Sequence, residues 1–236
     1  VRISRERFVL AAGATLCALG VVPATAAKVP EPIPGCTPPP APAMPGPPRK
    51  IMLIRHAEKP TDTQGGVDAG GASDPNSLRI QGWMRAGALV RYFAEPNAPG
   101  IEKPTTLYAG AYLKAKHGVV LDDTKSLRPY QTLSPLAAHL NLSVDTCFPT
   151  GDETGLAATM LRSGGIVLVA WEHKHIPLIA AALPVRNARD VPVARPGQRY
   201  DMVFLFDLDD EHKHYTFSQV PQLVLPGDSA APFATG

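Results

Sequence analysis

The stretch Lys50-Ile-Met-Leu-Ile-Arg-His-Ala-Glu-Lys-Pro60 decides how this chain is read. Its first half, Ile51-Met52-Leu53-Ile54, is a short unbroken apolar run, the mark of a strand buried on both faces. Its second half sets Arg55 and His56 where that strand ends. Working outward, residues 78–93 carry Trp83, Ala86, Leu89, Val90 and Phe93 on one side of a helix. Residues 105–109 suit a strand. Residues 129–140 suit a helix, with Pro129 in its first turn and Pro135 as a kink. A brief strand at 143–146 leads to a helix over 152–161 that Thr150 or Asp152 can cap. Gly-Ile-Val-Leu-Val-Ala at 165–170 is a second buried strand, and 177–183 a short helix. Two strands follow, 202–206 and 215–220, joined by a polar turn. This alternation predicts an α/β fold: three layers, a mostly parallel sheet with helices on both faces, and a C-terminal antiparallel hairpin.

In such sheets ligands bind beyond the carboxyl ends of the strands. Arg55-His56 ends the first strand, and Trp171-Glu172-His173 follows the strand at 165–170, so both imidazoles are expected on one rim. A guanidinium is a planar fork that matches two phosphate oxygens. A neutral imidazole is a competent nucleophile near neutral pH. Arg128 heads the helix over 129–140, where free backbone N–H groups also favour an anion. Two arginines and a second imidazole around His56 would make a positive cup suited to a phosphoryl group.

The outer regions set limits. The chain has 236 residues, 44% hydrophobic and 19% charged, which suits a globular domain and excludes a wholly disordered one. Three of the 23 basic residues (Arg2, Arg5, Arg7) and one of the 21 acidic ones (Glu6) fall in the first 26 positions, so the remainder is neutral. A neutral body argues against a nucleic-acid partner held by general electrostatics. The basic head, the apolar run at 8–22 and the exit Ala24-Thr25-Ala26 predict a signal peptide over 1–26. The run is shorter than the roughly 20 residues that span a bilayer, so no stable membrane insertion is expected after cleavage. The expected location is periplasmic or secreted. Ten of the 26 prolines lie between positions 30 and 48, so 27–49 reads as an extended tether. The catalytic domain is expected over 50–228, with a flexible tail at 229–236. Cys36 and Cys147 could bridge in an exported chain, but their spacing leaves this open.

Several segments together resemble the histidine phosphatase superfamily, the phosphoglycerate mutase-like proteins. LIRHAEKP (53–60) is similar to its signature and LRIQGWMRAGAL (78–89) to its first helix. SLRPYQTLSPLAAHL (126–140) is similar to the segment with its second arginine, and VLVAWEHKHIP (167–177) to the one with its second histidine. VPQLVLPGD (220–228) resembles the C-terminal end of small bacterial members. The resemblance implies that His56 attacks phosphorus and is transiently phosphorylated. It implies that Arg55, Arg128 and His173 hold the phosphoryl oxygens, that water releases phosphate, and that no metal or other cofactor is needed. The partner implied is a small phosphorylated substrate. Family members often place a proton donor after the third strand, where Asp152 and Glu153 lie here; Glu172 is a third candidate. A donor should have a raised pKa from partial burial.

Two other functions compete. His173-Lys174-His175 and His212-Lys213-His214 are His-x-His pairs that suit zinc, so a zinc-dependent hydrolase is one alternative. A phosphate-binding module without catalysis is the other. Arg79, Arg85 and Arg91 read as a solvated helix face, although Arg85 could brace the pocket. Trp83 reads as core, the Gly-rich 65–73 as a loop, and His117 and His139 as bystanders.

Overall fold

The computed structural model describes residues 46–116, 119–124, 126–193, 197–209, 211 and 213–235. The expected signal peptide, Cys36, His117, His212 and all of the tether except 46–49 lie outside the described residues. Strand β1 (Lys50–Arg55) is buried along its whole length. It pairs in parallel with β6 (Ile166–Trp171) and antiparallel with β7 (Met202–Leu208). With β2 (Thr106–Ala109), β5 (Val144–Asp145) and β8 (Tyr215–Pro221) the sheet has the order β5-β2-β6-β1-β7-β8. The four strands from β5 to β1 are parallel, and β7–β8 forms the antiparallel hairpin. The fold is therefore the expected three-layer α/β arrangement.

The unbroken apolar run in β1 has a direct cause. Ile51 and Leu53 enter one core, while Met52 and Ile54 enter the core on the other face. Helices α1 (Ile80–Ala94) and α2 (Arg128–Leu140) cover the second face through Leu89, Phe93, Leu133 and Leu136. Helices α3 (Glu153–Met160) and α4 (Ile176–Ala181) cover the first through Leu156, Met160, Ile176 and Ile179. Each such side chain contributes about 1.5–3 kcal/mol when withdrawn from water, so a strand that feeds two cores anchors the domain. Pro135 stands inside α2 and cannot bond the carbonyl of Gln131; the Ser134 hydroxyl takes that carbonyl at 3.1 Å.

Three features depart from the sequence expectation. A separate hairpin, β3 (Leu113–Lys116) with β4 (Val119–Thr124), lies between the strand at 105–109 and the helix at 129–140, where the sequence reading assigns no element. Arg85 is not on a solvated face: it is 3% exposed and paired with two carboxylates. Residues 229–235 are not a free tail. Ser229 N–H donates to Asp201, Gln219 exchanges hydrogen bonds with the Phe233 backbone, and the Phe233 ring packs against Phe204. The anchor is Phe233, which is buried in the same core as Phe204 and Phe217.

Candidate active site

The register of β1 and β6 builds the rim. Arg55 lies opposite Trp171, and the next residue, His56, donates its backbone N–H to the Trp171 carbonyl at 3.0 Å. Glu172 and His173 therefore leave the sheet beside His56. The start of α2 is tied to the same place. Ala57 N–H donates to Thr132 Oγ1 at 2.8 Å, and that hydroxyl donates to the Arg128 carbonyl at 2.7 Å. Helix α1 presses on the loop from the other side, at Gly82. A Cβ there would stand 2.6 Å from the Glu58 carbonyl oxygen, so only glycine permits the approach.

His56 is 4% exposed. Its Nδ1 lies 2.7 Å from the Ala57 carbonyl, which can only accept. Nδ1 therefore carries the hydrogen, and Nε2 presents its lone pair. Burial first, then the charges of Arg55, Arg128 and His173, push its pKa down to about 3 against the bond to Ala57. The ring is neutral across the physiological range, as a nucleophile must be. Arg55, Arg128 and His173 all interact electrostatically with this imidazole.

Arg55 is 1% exposed and held without a carboxylate bond. Its Nη1 donates to the carbonyls of Gly197 at 2.7 Å and Arg199 at 3.1 Å. Its Cζ lies 3.8 Å from the centroid of the Tyr200 ring. Nε and Nη2, the adjacent pair that makes a guanidinium fork, are buried with no hydrogen-bond partner among the described residues. Arg128 bonds the Pro75 carbonyl at 3.2 Å through Nη1, and its Nε is likewise unpartnered among the described residues. Burial draws both guanidinium pKa values down from their ordinary range. Burial and then Arg55 lower that of His173. Its Nδ1 lies 2.7 Å from Glu172 Oε1, close enough for an ion pair but too poorly aligned for a hydrogen bond. The rim thus gathers positive charge that nothing negative fully answers.

The carboxylates are placed less simply. Asp152 caps α3, accepting from Gly155 N–H at 3.2 Å from an exposed position. Glu153 is 5% exposed, and its Oε1 accepts from Trp171 Nε1 at 3.1 Å and Gly151 N–H at 2.9 Å. Burial would raise its pKa, but these bonds and nearby His175 hold it below the ordinary carboxylate value. That is the reverse of what a proton donor requires. Glu172 accepts from Lys174 N–H at 3.0 Å and interacts electrostatically with Arg55, so it borders the cup. The first His-x-His pair finds no zinc site: among the described residues no group of three or more His, Cys, Asp or Glu is arranged to hold a metal ion.

Two further elements complete the site. Tyr200, 8% exposed, lies 6.3 Å from the His56 ring, centroid to centroid. It lines a polar pocket of about 410 Å³ together with Glu58, Lys59, Arg79 and Arg199. The second element is the pair Glu58–Arg85. Arg85 Nη2 lies 2.9 Å from Glu58 and 2.7 Å from Asp228, which ties the His56 loop to α1 and to the C-terminal segment. Burial pulls the pKa of Arg85 down, but the bonds to Asp228 and Glu58 outweigh it and raise it.

No family model and no curated protein matches this sequence. Among solved structures the chain is similar to a mycobacterial glucosyl-3-phosphoglycerate phosphatase in complex with VO3. The two are 14% identical, the overlap covers 73% of this chain and 98% of that one, and the TM-score is 0.39. A likeness of that size transfers no activity, so function rests on the site itself. No helix among the described residues is long and apolar enough to cross a membrane.

Proposed function

We propose that this chain is a phosphatase of the histidine phosphatase type, which hydrolyses phosphomonoesters or a related phosphoryl bond through a phosphohistidine on His56. The observation that carries the reading is the unfilled fork of Arg55. Its two buried donors have no hydrogen-bond partner among the described residues, and the residue that follows is His56, a neutral imidazole whose Nδ1 is committed to the Ala57 carbonyl. Leaving such donors unpaired costs about 1–3 kcal/mol or more for a charged group, a cost that a phosphoryl oxygen pair relieves.

In the proposed reaction Nε2 of His56 forms a bond to phosphorus while the ester P–O bond breaks. Arg55 and Arg128 neutralise the charge on the equatorial oxygens, and His173 binds one of them by a hydrogen bond. Water then attacks phosphorus, the P–N bond breaks, and phosphate leaves. The guanidinium groups supply the charge that a metal ion supplies elsewhere. The proposed setting is the periplasm or outside the cell, on the strength of the 1–26 leader and the proline-rich tether.

The test is hydrolysis of an aryl phosphate in EDTA. Turnover that survives EDTA and disappears in His56→Ala, with the fold intact by circular dichroism, supports the reading. Turnover retained in His56→Ala contradicts it. Loss in EDTA that zinc restores favours the metal hydrolase, and phosphate binding without turnover favours the binding module.

A further inference from the structure

We propose that Tyr200 is the proton donor to the leaving group, because its ring packs under Arg55 beside His56 and also lines the adjoining polar pocket. This rests on the phosphatase reading above. Three observations meet at this side chain. Its ring carries Arg55 at 3.8 Å and faces His56 at 6.3 Å. It interacts electrostatically with both Arg55 and Arg128, the two cations of the cup. And it is 8% exposed and is the residue next to His56 and Arg55 that also lines the 410 Å³ polar pocket of Lys59, Arg79 and Arg199.

The carboxylates expected to donate are committed elsewhere. Asp152 caps α3, and Glu153 is fixed to Trp171 and Gly151 as an anion. A carboxyl beside two arginines is driven towards its ionised form, which has no proton to give. Phenols as a class are protonated at neutral pH and so have a proton to give.

The proton balance closes. As the ester P–O bond breaks, the phenol O–H passes its proton to the leaving oxygen, and the phenolate rests against Arg55 and Arg128. When water attacks the phosphohistidine, one water proton returns to the phenolate, the other stays on phosphate, and His56 regains its lone pair at Nε2. No oxidant, metal or further reactant enters.

The experiment compares Tyr200→Phe with Glu172→Gln on two probes: 4-nitrophenyl phosphate, whose leaving group needs no proton, and an alkyl phosphate, whose leaving group does. Tyr200→Phe keeps the ring under Arg55 and removes only the hydroxyl. The expected result is a fall of about 10²–10³-fold in kcat/KM on the alkyl ester, the usual scale of a general acid, with the aryl ester changed by about threefold or less. An equal loss on both esters, no loss on either, or the selective pattern in Glu172→Gln instead overturns the proposal. Phosphohistidine trapped on the Tyr200→Phe protein with the aryl ester shows that the underlying reading stands whatever the fate of Tyr200. If wild-type protein forms none, the reading beneath it fails.

Discussion

Strand β1 carries a buried cation at each end, and the two ends are finished differently. At its start Lys50, 4% exposed, donates to the Gly100 carbonyl at 2.7 Å, lies 3.3 Å from Glu102 and forms an ion pair with Asp207. At its end Arg55, 1% exposed, has two carbonyls and an aromatic face, but among the described residues no carboxylate bond and no partner for two of its donors. Burying a charge is costly unless it is paired and hydrogen-bonded. The fold meets that condition at Lys50 and leaves it unmet at Arg55. One end holds the sheet together. On the function proposed above, the other is completed by a phosphoryl group.

Matched substitutions break the comparison if it is false. Arg55→Met keeps the buried volume and removes the fork. It should lower kcat/KM for an aryl phosphate by about 10³-fold, the scale of a lost oxyanion donor carrying charge, with a melting temperature close to wild type. The next largest effect belongs to the paired guanidinium on α1. Arg85→Met strands Glu58 and Asp228, 2–6% exposed, and should cost about 3–5 kcal/mol in urea unfolding. Lys50→Met should cost less, about 1–2 kcal/mol, because Glu102 and Asp207 are 32% and 46% exposed and can turn to water. Its kcat/KM should stay within about twofold of wild type, since it lies at the opposite end of the strand from His56. Phosphate or vanadate sharpens the contrast: at about 100 times Kd it should stabilise wild type and Lys50→Met by about 2.7 kcal/mol, and Arg55→Met hardly at all.

The smallest expected effect is on pH dependence. The pKa of His56 falls from its ordinary 6.5 to about 3 on folding, and that of His173 falls too. Between those values the unfolded chain binds more protons than the folded one, so stability rises with pH and is lost as pH drops below 6.5. The lowered carboxylates, Glu153 and Asp228, add the same sign only lower, below about pH 4.5. The slope of unfolding free energy between pH 6.5 and 5 should therefore be shallower in His56→Gln than in wild type. An unchanged slope would mean that His56 is not buried neutral.

The same division governs what the sequence reveals. Residues 51–54 announce a two-faced strand because burial on both sides demands an unbroken apolar run. The strand at 165–170 does so too, and parallel pairing then brings Arg55 and Trp171 level, which sets His56 and His173 on one rim. Arg128 is legible because a proline-led helix start beside an arginine is a local pattern. Arg85 is not, because its partners are 27 and 143 positions away, and on the helix alone it looks like its neighbours Arg79 and Arg91. Tyr200 sits in irregular chain just before β7, where no periodicity marks which way a ring points. Glu153 misleads for a similar reason: its place after a strand fits a donor, but Trp171 and Gly151 bind it as an anion.

The most direct measurement is to quench turnover of a phosphomonoester under alkaline conditions, where phosphohistidine survives, and locate the phosphate by mass spectrometry. One acid-labile phosphate on His56, absent from His56→Ala and depleted in Arg55→Met, is the predicted result. Steady turnover with no phosphate on that imidazole, or with phosphate on another side chain, would contradict the account.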